Sequence, residues 1–231
     1  MIARCAPPAI LAVVIALIPA VAGLPALAAS SPGVVADRAV AVTPDPYGTR
    51  VAIDILEDGG NAVDAAVGAA LALAVTYPIE GNLGGGGFLL YREPDGAYHA
   101  LDHRETAPAA LTPEAFLDGD GRAIPERSRN TGLAVGVPGT VAGLYDAHAR
   151  WGRLPWRAVV RPAVRLAKRG HRVTAWHARA FVSGAARLAE RPGTRAAYTR
   201  DGSPPVSYTH LTLPTIVREC RSRWGAGDWS G

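Results

Sequence analysis

Between Tyr47 and Glu57 the apolar positions Val51, Ile53, Ile55 and Leu56 recur at helical spacing, and from Ala62 to Thr76 nearly every position is apolar. The first pattern predicts a helix stopped by Gly59-Gly60, and the second a helix opened by Asn61 and ended by Pro78. A helix apolar on all sides is a buried one, and this one is too short to span a bilayer. Upstream, Val34 to Val42 reads as a strand, broken by Thr43-Pro44-Asp45-Pro46, where Asp45 is placed to cap the next helix. Downstream, Phe88 to Tyr91 and Ala97 to Leu101 are strand-like runs around the turn signal Pro94-Asp95-Gly96, which predicts a hairpin. Thr112-Pro113-Glu114 opens a short helix, Asp118-Gly119-Asp120-Gly121 turns the chain, and Gly132 to Val137 reads as extended. Three more helices follow: Thr140 to about Arg150, Pro155-Trp156 to Lys168 closed by Gly170, and about Val173 to Glu190. Strand pairs alternating with helices predict a mixed α/β (α+β) fold with helices covering sheet faces.

Composition narrows the class. Of 231 residues, 48% are apolar and 19% charged, the balance of a globular protein with a real core. The net charge of +4 rests on 24 basic residues, of which only Lys168 is a lysine. They are scattered, so a solvated arginine surface is the reading and nucleic acid is not expected as a partner. Arg4, the apolar run from Ala9 to Gly23 and Ala26-Leu27-Ala28 make a secretory signal peptide over residues 1–28. The protein is therefore expected to be exported, to the periplasm or beyond the cell, with no stable membrane span. Cys5 and Cys220 form no disulfide framework, and no metal-ligand spacing occurs; the Asp/Gly turn at Asp118 lacks the later ligands of a calcium loop.

The stretch richest in chemistry is Gly81-Asn82-Leu83-Gly84-Gly85-Gly86-Gly87-Phe88 with Leu101-Asp102-His103-Arg104-Glu105-Thr106-Ala107-Pro108. Consecutive glycines permit a backbone passage that a Cβ would block. Arg104, just past a strand end and beside that passage, suits a clamp on a substrate carboxylate. On spacing alone it equally suits a structural pair with Asp102 or Glu105. His103 reads as a packed or surface imidazole, and neither a phosphate loop nor a G-x-S-x-G elbow is present.

These two segments, with Gly59 to Ala66 and Val137 to Gly143, resemble the large-subunit motifs of the gamma-glutamyltransferase family, in order, over roughly Gly33 to Pro205. The family usually carries His where Asp45 stands. The resemblance implies an N-terminal-nucleophile hydrolase-like αββα sandwich, of which this chain would be an N-terminal fragment. It also implies a precursor that cuts itself to free a Thr, whose hydroxyl attacks the γ-glutamyl amide of a glutathione-like donor. The γ-glutamyl group then passes to water or to an amino-acid or peptide acceptor. By the family pattern Arg104 holds the donor's α-carboxylate. No cofactor or metal is implied, and the partner is the protein's own small subunit. That subunit supplies the Thr, so no catalytic residue is expected in this chain, which should be inactive alone.

Residues 29–205 form the family-like part. From Val206 the sequence changes character, and residues 206–231 read as a frameshifted or artefactual end resembling a translated sequencing adapter. Thr209, although it precedes His210-Leu211, does not continue as a small subunit and is rejected as the nucleophile. Two other readings are a cephalosporin-acylase-like amidase of the same family, which would depend less on Arg104, and a non-catalytic exported carboxylate-binding module.

Overall fold

The computed structural model describes residues 33–199, 201–207 and the backbone of 210–211. The expected signal peptide, Thr209 and residues 212–231 lie outside the described residues. The chain divides after Arg38 into two units, and residues 33–38 of the first contain neither helix nor strand. The strand expected over Val34–Val42 does not form. A strand is held by ladder bonds to a neighbour, and no described strand runs beside it; Val40 and Val42 stay exposed.

In the second unit, α1 (Pro46–Glu57) begins where the Asp45 carboxylate accepts the Tyr47 amide at 3.0 Å and Pro46 takes the first position. It buries Gly48, Val51, Ala52 and Ile55, and ends at Gly59, whose φ of +89° few other residues would adopt. The central helix α2 (Ala62–Thr76) has the bounds that its apolar run predicts. Asn61 accepts the Val63 and Asp64 amides, and the Asp64 carboxylate returns to the Asn61 amide at 2.9 Å, a reciprocal capping box. Val63, Val67, Leu71 and Ala72 are buried in the main core. Each such Val or Leu contributes roughly 1.5–3 kcal/mol over leaving it in water. At Gly68 a Cβ would collide with Ile55, so the two helices pack as closely as they do because Gly68 has none.

The hairpin forms as expected, β1 (Phe88–Arg92) antiparallel to β2 (Tyr98–Asp102), with Gly96 at φ +98° in the turn. Leu89, Tyr91 and Leu101 pack on the core, while Phe88, Leu90 and Tyr98 face outward. Beyond it the sequence is less regular than its pattern suggests. The helix at Thr112 is a single 3-10 turn, Pro113–Phe116, and Thr112 caps no amide with its side chain. Its hydroxyl instead bonds to the Glu114 carboxyl and holds it below the usual carboxylate range. The Gly132–Val137 stretch is not extended throughout: Gly132–Ala134 is a 3-10 turn started by the Thr131 hydroxyl, and Val137 bridges Thr106. A one-turn helix, α3 (Arg127–Asn130), precedes it.

The remaining helices are α4 (Thr140–Trp151), α5 (Trp156–Arg169), α6 (Ala175–Glu190) and α7 (Pro192–Tyr198). Pro155 precedes α5 and Gly170 closes it at φ +77°. A two-residue pair, β3 (His171–Arg172) with β4 (His210–Leu211), makes a second sheet. The Asp64 carboxylate, fully buried, accepts the amides of Arg153 and Leu154 as well as that of Asn61. It thereby pins the α4–α5 connection to the start of α2. No described helix is long and apolar enough to cross a membrane.

Candidate functional site

Two segments distant in sequence meet around Arg104. The hairpin ladder runs one step past β2, with the His103 amide donating to the Gly87 carbonyl at 3.0 Å. This carries His103 and Arg104 across the glycine passage. A Cβ at Gly86 would stand 2.6 Å from the Arg104 Cα, and one at Gly139 would collide with the His103 carbonyl oxygen. A Cβ at Gly143 would strike the His103 side chain. Three glycines from two segments thus form a groove that admits the His103-Arg104 backbone, and no other residue leaves that space.

A second set of contacts ties the walls together. The Gly85 carbonyl accepts the Gly139 amide at 2.8 Å and the Thr140 amide at 2.9 Å, which satisfies two amides at the start of α4. Asn82 Oδ1 accepts the Gly85 amide at 2.7 Å and the Thr140 hydroxyl at 2.9 Å. Asn82 and Thr140 are functional candidates that the linear pattern did not single out. Each lies inside a motif that it did, Gly81–Phe88 and Val137–Gly143, but nothing in their spacing says that they touch.

Arg104 is exposed, and its amide donates to Asp102 Oδ1 at 3.0 Å. Its guanidinium lies 5.8 Å from the centre of the Phe88 ring, within cation–π range. Among the described residues no carboxylate forms an ion pair with it, so the structural pairing with Asp102 or Glu105 is not seen. A planar fork of donors standing on an aromatic face, with no anion of its own, can take a carboxylate. His103 is half-buried against Gly87 and Gly143, and its Nδ1 is buried without a partner. A cavity of about 480 Å³ borders the passage, lined by Tyr77, Glu80, Asn82, Phe88, His103 and Thr140 among others. No cluster of three or more His, Cys, Asp or Glu side chains gathers among the described residues as a metal site would require.

Residues 48–220 match the family model described as Gamma-glutamyltranspeptidase. The chain belongs to that family. The matched stretch continues past Pro205, where the sequence changes character. A curated relative, the glutathione hydrolase proenzyme of Pseudomonas aeruginosa, is 49% identical over 154 residues, covering 65% of this chain and 27% of the relative. The chain thus spans about a quarter of the length of the curated relatives it matches. The crystal structure of Helicobacter pylori gamma-glutamyltranspeptidase superposes with a TM-score of 0.75 at 32% identity, over 79% of this chain and 52% of that one. A cephalosporin acylase from Bacillus halodurans superposes with a TM-score of 0.69 at 26% identity, over 84% of this chain and 38% of that one. The fold is accordingly that of the gamma-glutamyltranspeptidases and related N-terminal-nucleophile hydrolases, mixed helix and sheet.

A second buried polar pair stands apart from the site. Asp45 Oδ1 accepts the Thr76 hydroxyl at 2.9 Å, while Oδ2 has no hydrogen-bond partner and lies 3.7 Å from His177 Nδ1. Burial lowers the His177 pKa below its ordinary value, and the Asp45 carboxylate partly opposes this. Asp45 does cap α1, as its position predicts, but its link to His177 of α6 is invisible in the linear pattern.

Proposed function

We propose that the whole protein is an exported gamma-glutamyltransferase and glutathione hydrolase precursor, and that this chain supplies its carboxylate-holding arm. The observation that carries the reading is the Arg104 guanidinium on the Phe88 ring beside the glycine passage, with no ion-pair partner among the described residues. Membership of the family and the relative named glutathione hydrolase proenzyme support the same activity. In this reading Arg104 binds the α-carboxylate of a glutathione-like donor through two parallel N–H···O bonds and fixes the distance to the γ-carbonyl. A Thr freed by self-cleavage, outside residues 1–231, attacks that carbonyl, its own α-amino group accepting the hydroxyl proton. The γ-amide C–N bond breaks, the amine leaves with that proton, and the γ-glutamyl ester then yields to water or to an acceptor amine. Residues 1–28 serve as the export signal, and these 231 residues alone are inactive.

The likeness to a cephalosporin acylase favours one second reading, an amidase for side chains without an α-carboxylate. The two separate in one assay. The complete precursor should release glutamate from glutathione, and Arg104→Gln should lower kcat/KM for it about 10- to 100-fold, the loss of one or two charge-assisted bonds. Preference for acyl amides in which hydrogen replaces the α-carboxylate, with Arg104→Gln harmless, would establish the acylase instead.

A further inference from the structure

We infer that Asn82 and Thr140 are positioning residues for Arg104, acting through the glycine passage; this rests on the carboxylate-binding reading of that side chain. Neither residue forms a hydrogen bond to Arg104 among the described residues. Thr140 reaches the passage twice, its amide on the Gly85 carbonyl at 2.9 Å and its hydroxyl on Asn82 Oδ1 at 2.9 Å. Asn82 Oδ1 accepts the Gly85 amide at 2.7 Å as well, while Asn82 Nδ2 donates to the Glu80 carbonyl at 2.9 Å. The three residues close a ring of hydrogen bonds: Thr140 to Gly85, Gly85 to Asn82, and Thr140 to Asn82.

The ring matters because a run of four glycines has the greatest backbone freedom of any sequence and no side chains with which to limit it. Something outside the run has to select one conformation. The ring does so at Gly85, one residue before the point where Gly86 meets the Arg104 Cα. The same contacts hold Gly139 against the His103 carbonyl, so the two walls of the Arg104 groove are set by one clamp. Thr140 is 8% exposed, which keeps water from competing for its hydroxyl. The first amides of α4 are already engaged by the Gly85 carbonyl, so this helix start serves the passage and not an anion.

The clamp predicts how Arg104 responds to a change that never touches it. Thr140→Val keeps the shape and removes only the hydroxyl; Thr140→Ser restores the hydroxyl. The test follows phenylglyoxal modification of Arg104 by peptide mapping in the full chain, together with hydrogen exchange of the Gly85 to Phe88 amides. In Thr140→Val the passage amides should exchange about five- to tenfold faster, the equivalent of one net hydrogen bond. The Arg104 modification rate should shift by a similar factor, and Thr140→Ser should return both to wild type. Exchange within α2 should be unchanged, which excludes general unfolding. Asn82→Ala provides a second, independent break with the same expected result. An Arg104 rate that is the same in wild type, Thr140→Val and Asn82→Ala would overturn the inference, even if exchange in the passage rises. Protection of Arg104 by added L-glutamate reads the underlying assignment separately. Its absence in wild type would count against the carboxylate-binding reading, while the rate comparison still decides the clamp.

Discussion

The α1–α2 core and the Arg104 groove are built on opposite plans. The core is held by side chains: Val51, Ile55, Val63, Val67 and Leu71 are buried, and the fully buried Asp64 carboxylate has amides from three residues to accept. The groove is held by the absence of side chains at Gly86, Gly139 and Gly143, and by backbone groups bonded across the gap. A packed core tolerates a lost methylene at moderate cost, because neighbours partly relax. A groove defined by glycine backbone has no such slack, but its failure is local. The contrast suits the two tasks: one region gives stability, and the other sets an exposed guanidinium in place.

The largest effect should come from the polar centre of the core. Asp64→Ala strands the Asn61, Arg153 and Leu154 amides, each costing about 1–3 kcal/mol when buried and unpaired. A total of about 3–5 kcal/mol lowers Tm by roughly 6–20 °C in a chain of this size, measured by circular dichroism. A drop of only a degree or two would show that these amides find water and that the core does not depend on Asp64. Next comes the groove. Gly139 has an ordinary φ of −109°, so alanine there meets no backbone strain, only the clash with the His103 carbonyl and a tight approach, 3.0 Å, to the Arg104 carbonyl oxygen. Gly139→Ala should cost about 1–3 kcal/mol, as overpacking does, while exposing the Gly85–Phe88 amides to exchange and leaving α2 protected. Equal loss of protection in both regions would abolish the distinction between them.

The smallest effect belongs to His177. Its pKa is lowered by burial, so the folded protein favours the neutral ring and the unfolded chain takes up the proton first. The stability it contributes is present above about pH 6.5, the ordinary range of the side chain, and is lost as pH falls through that range. Urea midpoints of the wild type should therefore decline between pH 7.5 and 5, and His177→Asn should decline less steeply. Parallel declines would place the acid sensitivity elsewhere.

The helices were legible because their signals are local. Asn61, the apolar run to Thr76, and Gly170 each act within a turn of themselves, and α2 has the bounds they imply. The hairpin was legible for the same reason, since a turn and two flanking runs sit together in sequence. Val34–Val42 failed as a strand because its apolar residues state a preference for pairing, and a partner has to come from elsewhere. Gly132–Val137 failed because the Thr131 hydroxyl turned it locally into a 3-10 step. At the site, Arg104 could be picked out from its motif, but the clamp on its groove could not. Asn82 and Thr140 are brought together only by folding, as are Asp45 and His177.

The most direct test of the central claim is a cycle on the complete precursor. Wild type and Arg104→Gln are each assayed with a γ-glutamyl anilide and with the same donor whose α-carboxylate is replaced by hydrogen. If Arg104 holds that carboxylate, the substitution lowers kcat/KM about 10- to 100-fold for the first donor and leaves the second nearly unchanged. Equal losses for both donors, or none for either, would contradict the assignment.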